Sequence, residues 1–302
     1  AFIFSTIGTA HNTATAKYLQ SKTVPQLFIG SGASKFDDLT NYPLTIMGVQ
    51  GSFRYEARIY ARHALAQNPN AKFAILAQND DFGRDYVAGV RDVLGADFEK
   101  RVIVAPYEFM DPTIDSQIVA LKDSGADIFM TWAAPKGAAQ AIRKVAELGW
   151  KPVYFIGNVS TSVAAVLKPA GLDNAKGLIS TAYIKDPTDP VWKDDAGIKA
   201  WAAFMDKYFP DGDKTNNSNV YGYASAQTMV QVLKQCGDNL TRENVMKQAA
   251  SLKDFSSDVL LPGIRINTGP NDFFPIEQMQ LMRFNGESWE LFGDIIAGEV
   301  GH

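Results

Sequence analysis

A chain of 302 residues with 46% hydrophobic content can fill two compact cores. Its formal net charge of −4 supplies no basic field, which argues against nucleic acid as the main partner. No apolar run is long enough to span a bilayer, and the single cysteine, Cys236, rules out an internal disulfide.

The chain opens on AFIFST (residues 1–6), which reads as a buried parallel strand, and Gly8-Thr9 lead into a helical run over 13–20. A fold seldom begins in the middle of a βα unit, because a bare strand edge is left unpaired. The expectation is therefore that further elements of this sheet precede Ala1. A second unit follows, with the strand PQLFIGSG and the loop ASKFDDLTNYP. From 72 to 184 the pattern is clearest: the apolar runs FAILAQN, VIVAPYEF, IFMTWAA, VYFIGNV and LISTAYI alternate with helical periodicity over 82–94, 113–124, 138–148 and 161–169. Strands without polar alternation are expected where helices cover both faces, and five of them make a doubly wound parallel sheet. Gly95 and Gly149 fall just past helices, and Asp111-Pro112-Thr113 reads as a helix start.

Residues 190–255 read as mainly helical, over 197–208, 221–234 and 241–252, with Thr241 as an N-cap and Glu243 in the first turn. The polar loop PDGDKTNNSN carries no apolar payload. Cys236 closes an amphipathic helix and reads as a structural thiol. The tail over 263–292 reads as hairpin strands (IRIN, QMQLMRF, WELFGDI), with Asn285-Gly286 as a type I′ turn. The economical arrangement is an α/β protein of two doubly wound lobes: 1–48 with 185–255, and 49–184 with 256–302. The chain would cross between them near Val49, Lys185 and Phe255.

Taken together, FIFSTIGTAHNTA, PQLFIGSGASKF, ILAQNDDFGRDY, GADIFMTWAAP, AELGWKPVYFIGN, YGYASAQ and LTRENVMKQAASL resemble the periplasmic solute-binding proteins of ABC importers, in the leucine/isoleucine/valine-binding class. The resemblance covers essentially the whole chain. It implies a Rossmann-like, two-lobed fold with a hinged cleft that closes on a small molecule. It also implies a periplasmic location, the membrane permease of an importer as partner, and a monomer without a cofactor. Members of the class usually begin with two more βα units, on the order of 60–80 residues, so the first lobe is expected to lack its N-terminal part.

Gly8-Thr9-Ala10 and Gly30-Ser31-Gly32-Ala33-Ser34 both join a strand to a helix, where small residues let backbone N–H groups approach an anion. Glycines also make ordinary βα turns, so the residues alone leave the role open. The resemblance implies that Thr9, Ala33 and Ser34 bind a ligand carboxylate, with Gly8, Ala10 and Gly32 shaping the same loops. Phe82, Trp132, Ala133 and Asn158 stand at the carboxyl ends of second-lobe strands, where α/β sheets bind ligands. Trp132 reads equally as a pocket wall and as core. Asn158 reads equally as a ligand contact and as a strand-end cap. Tyr221 begins a helix that should face the cleft, and Phe53 and Tyr55 follow the first crossover. His11 stands beside the first loop.

Other chemistries find little support. Asn79-Asp80-Asp81 reads as a helix cap rather than a metal site. His11, His63 and His302 share no ligand spacing, and there is neither a phosphate-binding glycine fingerprint nor a nucleophile elbow. The rivals to a solute receptor are thus an α/β enzyme and a cytoplasmic sensor on the same fold. Amino-acid binders of the class pair the ligand ammonium with an acid from a second-lobe loop. Here that loop, Gly157-Asn158-Val159-Ser160-Thr161, has none, and Ala133 stands where a tyrosine is often found. A buried ammonium without a counter-charge is costly. The expected ligand is therefore a carboxylate lacking an α-amino group, an aromatic acid by resemblance to relatives with GASK[FW] and NDDFG. A branched-chain amino acid is the alternative.

Overall fold

A computed structural model describes residues 1–298, so His302 lies outside the described residues. Two sheets organise the chain. The first is three-stranded and parallel, in the order β1 (Ile3–Phe4), β2 (Gln26–Ile29), β3 (Thr45–Met47). The second contains β4 (Phe73–Gln78), β5 (Val102–Tyr107), β6 (Ile128–Trp132), β7 (Val153–Ile156), β8 (Ile179–Ala182), β9 (Gln278–Phe284) and β10 (Trp289–Ala297). Its order is β10-β9-β8-β7-β6-β4-β5, with β9 antiparallel to both β8 and β10 and the other pairings parallel. The five predicted strands and the appended hairpin are all present.

Burial explains the strand sequences. Every residue of β6 and β8 is buried, as expected for strands covered on both faces. The edge strand β5 is half-exposed and carries Pro106, a residue tolerated where no ladder donor is needed. The opposite edge, β10, is broken by a register shift between Phe292 and Ile296, where Gly293 takes a φ of +67°. Such a bulge twists an edge away from other strands.

The long helices are α1 (Thr9–Ser21), α2 (Phe53–Gln67) and α3 (Asp81–Leu94), followed by a short α4 (Phe98–Arg101), α5 (Asp115–Asp123) and α6 (Pro135–Glu147). Asp80 caps α3 by accepting the N–H groups of Phe82 and Gly83, as its place in the sequence predicts. The helix predicted over 161–169 is present as a continuous helical stretch, a π-turn over Val163–Leu167 running into a short α7 (Lys168–Ala170), with α8 (Leu172–Ala175) following Gly171. Pro169 lacks an N–H and Gly171 takes a φ of +93°, so a regular helix cannot continue.

Helices α9 (Ala196–Tyr208), α10 (Asn217–Cys236) and α11 (Arg242–Ala249) follow. Helix α10 starts four residues before the predicted position, because Asn216 caps it through the Ser218 N–H. Thr241 caps α11 as expected. Arg242 ties α11 to the first sheet by donating to the carbonyls of Ala1, Lys22 and Thr23.

In the hairpin, Phe284 pairs with Trp289, which leaves a loop over 285–288 rather than a two-residue type I′ turn. The Asn285 side chain accepts the N–H groups of Glu287 and Ser288, favouring the wider loop. The predicted strand IRIN reduces to one bridge, Phe255 with Ile266.

Between the sheets the chain runs through adjacent segments. Lys185 N–H donates to Val259 O and Leu261 N–H to Tyr183 O, both at 2.9 Å. Met47 N–H donates to Phe273 O at 3.2 Å, and Phe273 N–H to Asp37, so this later stretch lies against the first sheet.

Candidate binding site

The carboxyl ends of both sheets face a shared cavity of about 460 Å³. The first sheet contributes Ser5 and Ile7 after β1, Gly30 after β2 and Gln50 after β3; α10 adds Asn217, Ser218, Tyr221 and Gly222. The second sheet contributes Asn158, Val159 and Thr161 after β7, Ala182, Tyr183 and Ile184 at the end of β8, and Met282. Asp186 joins from the crossover segment. A volume in the ~300–1,000 Å³ range, mostly apolar walls and a few polar groups are the features of a small-molecule site.

Local structure explains how these residues reach the cavity. Ser5 takes a left-handed φ of 52°, turning the chain between β1 and α1. Gly48 is required by close approach: a Cβ there would fall 2.3 Å from Ile29 O and 2.8 Å from Tyr221 Oη. Among the described residues the buried Tyr221 hydroxyl makes no hydrogen bond of ordinary geometry, and burial, only partly offset by the nearby Ser225 hydroxyl, pushes its pKa up to about 12.

The loop after β7 is tightly held. Ser160 Oγ donates to Ala133 O at 2.7 Å and Trp289 Nε1 to Thr161 O at 2.8 Å. Asn158 Nδ2 donates to Thr181 O, and the Asn158 N–H donates to Glu56 Oε1 at 2.7 Å. Glu56 is 1% exposed and also accepts the hydroxyls of Tyr60 and Tyr86. Burial pushes its carboxyl up to about 7 against those hydrogen bonds. This carboxyl beneath the cleft has no local sequence signature beyond the spacing of Glu56 and Tyr60 on α2.

Of the residues singled out from the sequence, Asn158 and Tyr221 line the cavity. Gly8 adjoins it as the α1 N-cap, with a φ of +105° and the His11 ring folded over it. Thr9 is buried and shares a 2.8 Å hydrogen bond with Ser31, while Ala10 is exposed on α1. Gly32 packs against Gly51 O and Phe53.

Ala33 and Ser34 border a separate open pocket with Lys35, Asp81, Arg84, Asp85 and Ala88. There the anion-binding geometry is occupied from within. Asp85 accepts the N–H and hydroxyl of Ser34 and the Arg54 N–H. Phe82 packs edge-on against Phe53 and Tyr86. Trp132 is wholly buried between the stacked rings of Tyr86 (4.3 Å) and Tyr60 (5.6 Å), and Ala133 is buried beside it. Both stand behind the cavity wall. Phe53 and Tyr55 are buried on α2. Among the described residues no group of three His, Cys, Asp or Glu side chains is placed to hold a metal ion.

Sequence reasoning missed Asp186. It weighed the loop over 157–161, which carries no acid, whereas the cavity takes its carboxylate from the crossover. The run Lys185-Asp186-Pro187-Thr188-Asp189 reads as a turn, and only the fold brings it to the cleft.

Comparison with known proteins agrees with this geometry. A family model described as "Periplasmic binding protein" matches residues 1–288. The Leu/Ile/Val-binding protein homolog 1 of Brucella abortus (strain 2308) is 24% identical over 230 residues, 73% of this chain and 58% of that protein. The chain thus spans less than two thirds of the length of the curated relatives it matches. A branched chain amino acid ABC transporter protein from Thermus thermophilus, solved with bound valine, superposes with a TM-score of 0.83 at 15% identity, over 98% of this chain and 78% of that one. A solute binding protein from R. palustris, solved with 4-hydroxybenzoate, gives a TM-score of 0.77 at 16% identity, over 99% of this chain and 78% of that one. At such identities the likeness is one of fold.

Proposed function

The chain belongs to the periplasmic binding protein family, and from that premise we propose that it is an extracytoplasmic solute receptor. It captures a small carboxylate with an apolar, aromatic body between its two sheets and hands it to the membrane permease of an ABC importer. The cavity carries this reading. It opens at the carboxyl ends of both sheets, and Ile7, Val159, Tyr183, Ile184, Tyr221 and Met282 line it. The N-terminus of α1, without a side-chain cap, begins just after the cavity residue Ile7 and favours a carboxylate nearby. Capture and release need no catalytic constellation. We further propose that the two bodies turn on the paired segments around 48–52, 183–186 and 259–275.

Asp186 favours a second reading, a branched-chain amino acid, because it offers the counter-charge that an ammonium needs. The solved relatives, with valine and with 4-hydroxybenzoate, are precedents for both. Calorimetric titration with benzoate, 4-hydroxybenzoate, cinnamate, leucine and valine separates them. Binding of the aromatic acids without leucine or valine is expected. Tight binding of leucine or valine with no heat from the acids would give the site to the second reading.

A further inference from the structure

Asp186 is placed unlike an ordinary turn acid. Its Oδ1 accepts the Thr188 N–H at 2.9 Å and the Thr188 hydroxyl at 2.6 Å, closing a turn. Among the described residues its Oδ2 meets only the Asn217 amide, at a long 3.4 Å. Both Asp186 and Asn217 line the cavity, so this weakly engaged oxygen lies at its wall. Asp186 is 8% exposed.

Among the described residues no cation relieves it. The neighbouring Lys185 is committed to Asp195 at 2.8 Å and to Asp258 O at 2.9 Å. No lysine or arginine lines the cavity among the described residues. Burial, with Asp189 nearby, holds the Asp186 carboxyl above its ordinary range. A buried carboxylate oxygen with one marginal donor is expensive to keep. The turn alone uses Oδ1 and does not account for Oδ2.

Resting on the cleft as the ligand site, we infer that Asp186 is its specificity-determining acceptor: Oδ2 takes a hydrogen bond from a donor on the ligand, a hydroxyl or an ammonium. The ligand is then bifunctional, with a carboxylate toward the α1 side and a donor group toward the crossover. An apolar body such as Tyr183 and Met282 can enclose spans the two.

Two ligand pairs test this, each differing only in the donor: 4-hydroxybenzoate against benzoate, and leucine against 4-methylpentanoate. Wild-type protein at neutral pH should favour the donor-bearing member of one pair by about tenfold or more. Asp186→Asn keeps an oxygen for the Thr188 turn and replaces the acceptor facing the cavity with an NH2 group. It should cut that preference at least about tenfold while moving the donor-less member less than about threefold. Preference in the benzoate pair supports both this inference and the aromatic-acid reading. Preference in the leucine pair, lost in the variant, supports Asp186 and sinks the aromatic-acid reading. No preference in either wild-type pair, a preference unchanged in the variant, or no binding of any probe overturns the inference. The wild-type comparison needs no variant to fold.

Discussion

Glu56 is enclosed by two tyrosine hydroxyls and the Asn158 N–H, and burial still pushes its carboxyl up to about 7. The native state therefore holds this proton more tightly than the unfolded chain, whose carboxyl titrates near the ordinary 4.5. Its contribution to stability is full below the unfolded value and is lost as pH rises through about 7. The difference is on the order of 3 kcal/mol. Asp81 and Asp92, held low by Lys35 and by Arg54, act with the opposite sign, below the ordinary carboxylate range and outside this window. Burial also raises Asp85 and Asp186, with the same sign as Glu56, and lowers the half-buried His63, which opposes them, so three buried carboxyls stand against one imidazole. Wild-type unfolding free energy is thus expected to fall between about pH 5 and pH 8. Glu56→Gln should flatten that slope, since its amide oxygen still accepts from Asn158. Urea unfolding at several pH values checks this, and an unchanged slope in the variant would remove Glu56 as its source. None of this was legible from FRYEARIY, where Glu56 looks like one more helix-face acid. Tyr86 closes on it from another helix, and Asn158 from a loop about a hundred residues away. Trp132 is the converse: its sequence reading was balanced between wall and core, and the stack with Tyr60 and Tyr86 makes it core.

At the scale of elements, the strands of the second sheet were legible because burial on both faces leaves an unbroken apolar run, a signal that needs no partner to be read. Caps at Asp80 and Thr241 were legible for a similar reason, since a capping side chain bonds within its own turn. What failed were features set by side-chain competition. Asn285 widened the hairpin loop by accepting the N–H groups of Glu287 and Ser288. The loop at Ser34 shows the same limit, because a carboxylate does meet it, but that carboxylate is Asp85 of α3. Ser34→Ala should therefore register in the ligand-free protein. Losing one hydrogen bond to a charged acceptor is expected to lower its unfolding free energy by about 1.5–3 kcal/mol. Denaturant titration of the apo variant decides the point. A stability equal to wild type, with weakened ligand binding, would return Ser34 to a direct role in holding the anion.

Across the whole molecule, the proposed capture of a ligand requires the two sheets to part, and contacts bridging them must then break. On one side Lys35, after β2, pairs with Asp81, after β4, at 2.6 Å. On the other, Ser162 Oγ donates to Asn216 Oδ1 at 2.9 Å and Asn217 Nδ2 to Thr161 Oγ1 at 3.1 Å. The ion pair is partly exposed, with side chains 28% and 36% accessible, so it contributes on the order of 0–1 kcal/mol to closure. Bound ligand outweighs it, supplying about 2.7 kcal/mol at a concentration of 100 times Kd. A small bias toward the closed form should still appear in affinity, since binding draws on the fraction of molecules able to close. Lys35→Met keeps an unbranched apolar stem while removing the charge, and with it the approach of the ammonium to the Phe36 and Tyr42 rings. It is expected to weaken ligand binding by no more than about fivefold at low salt. The difference should vanish near 1 M salt, where the Debye length is only ~3 Å. Paired titrations of wild type and variant at low and high salt provide the check. A loss well beyond tenfold, or one indifferent to salt, would mean that Lys35 acts on the ligand itself rather than on the closing of the cleft.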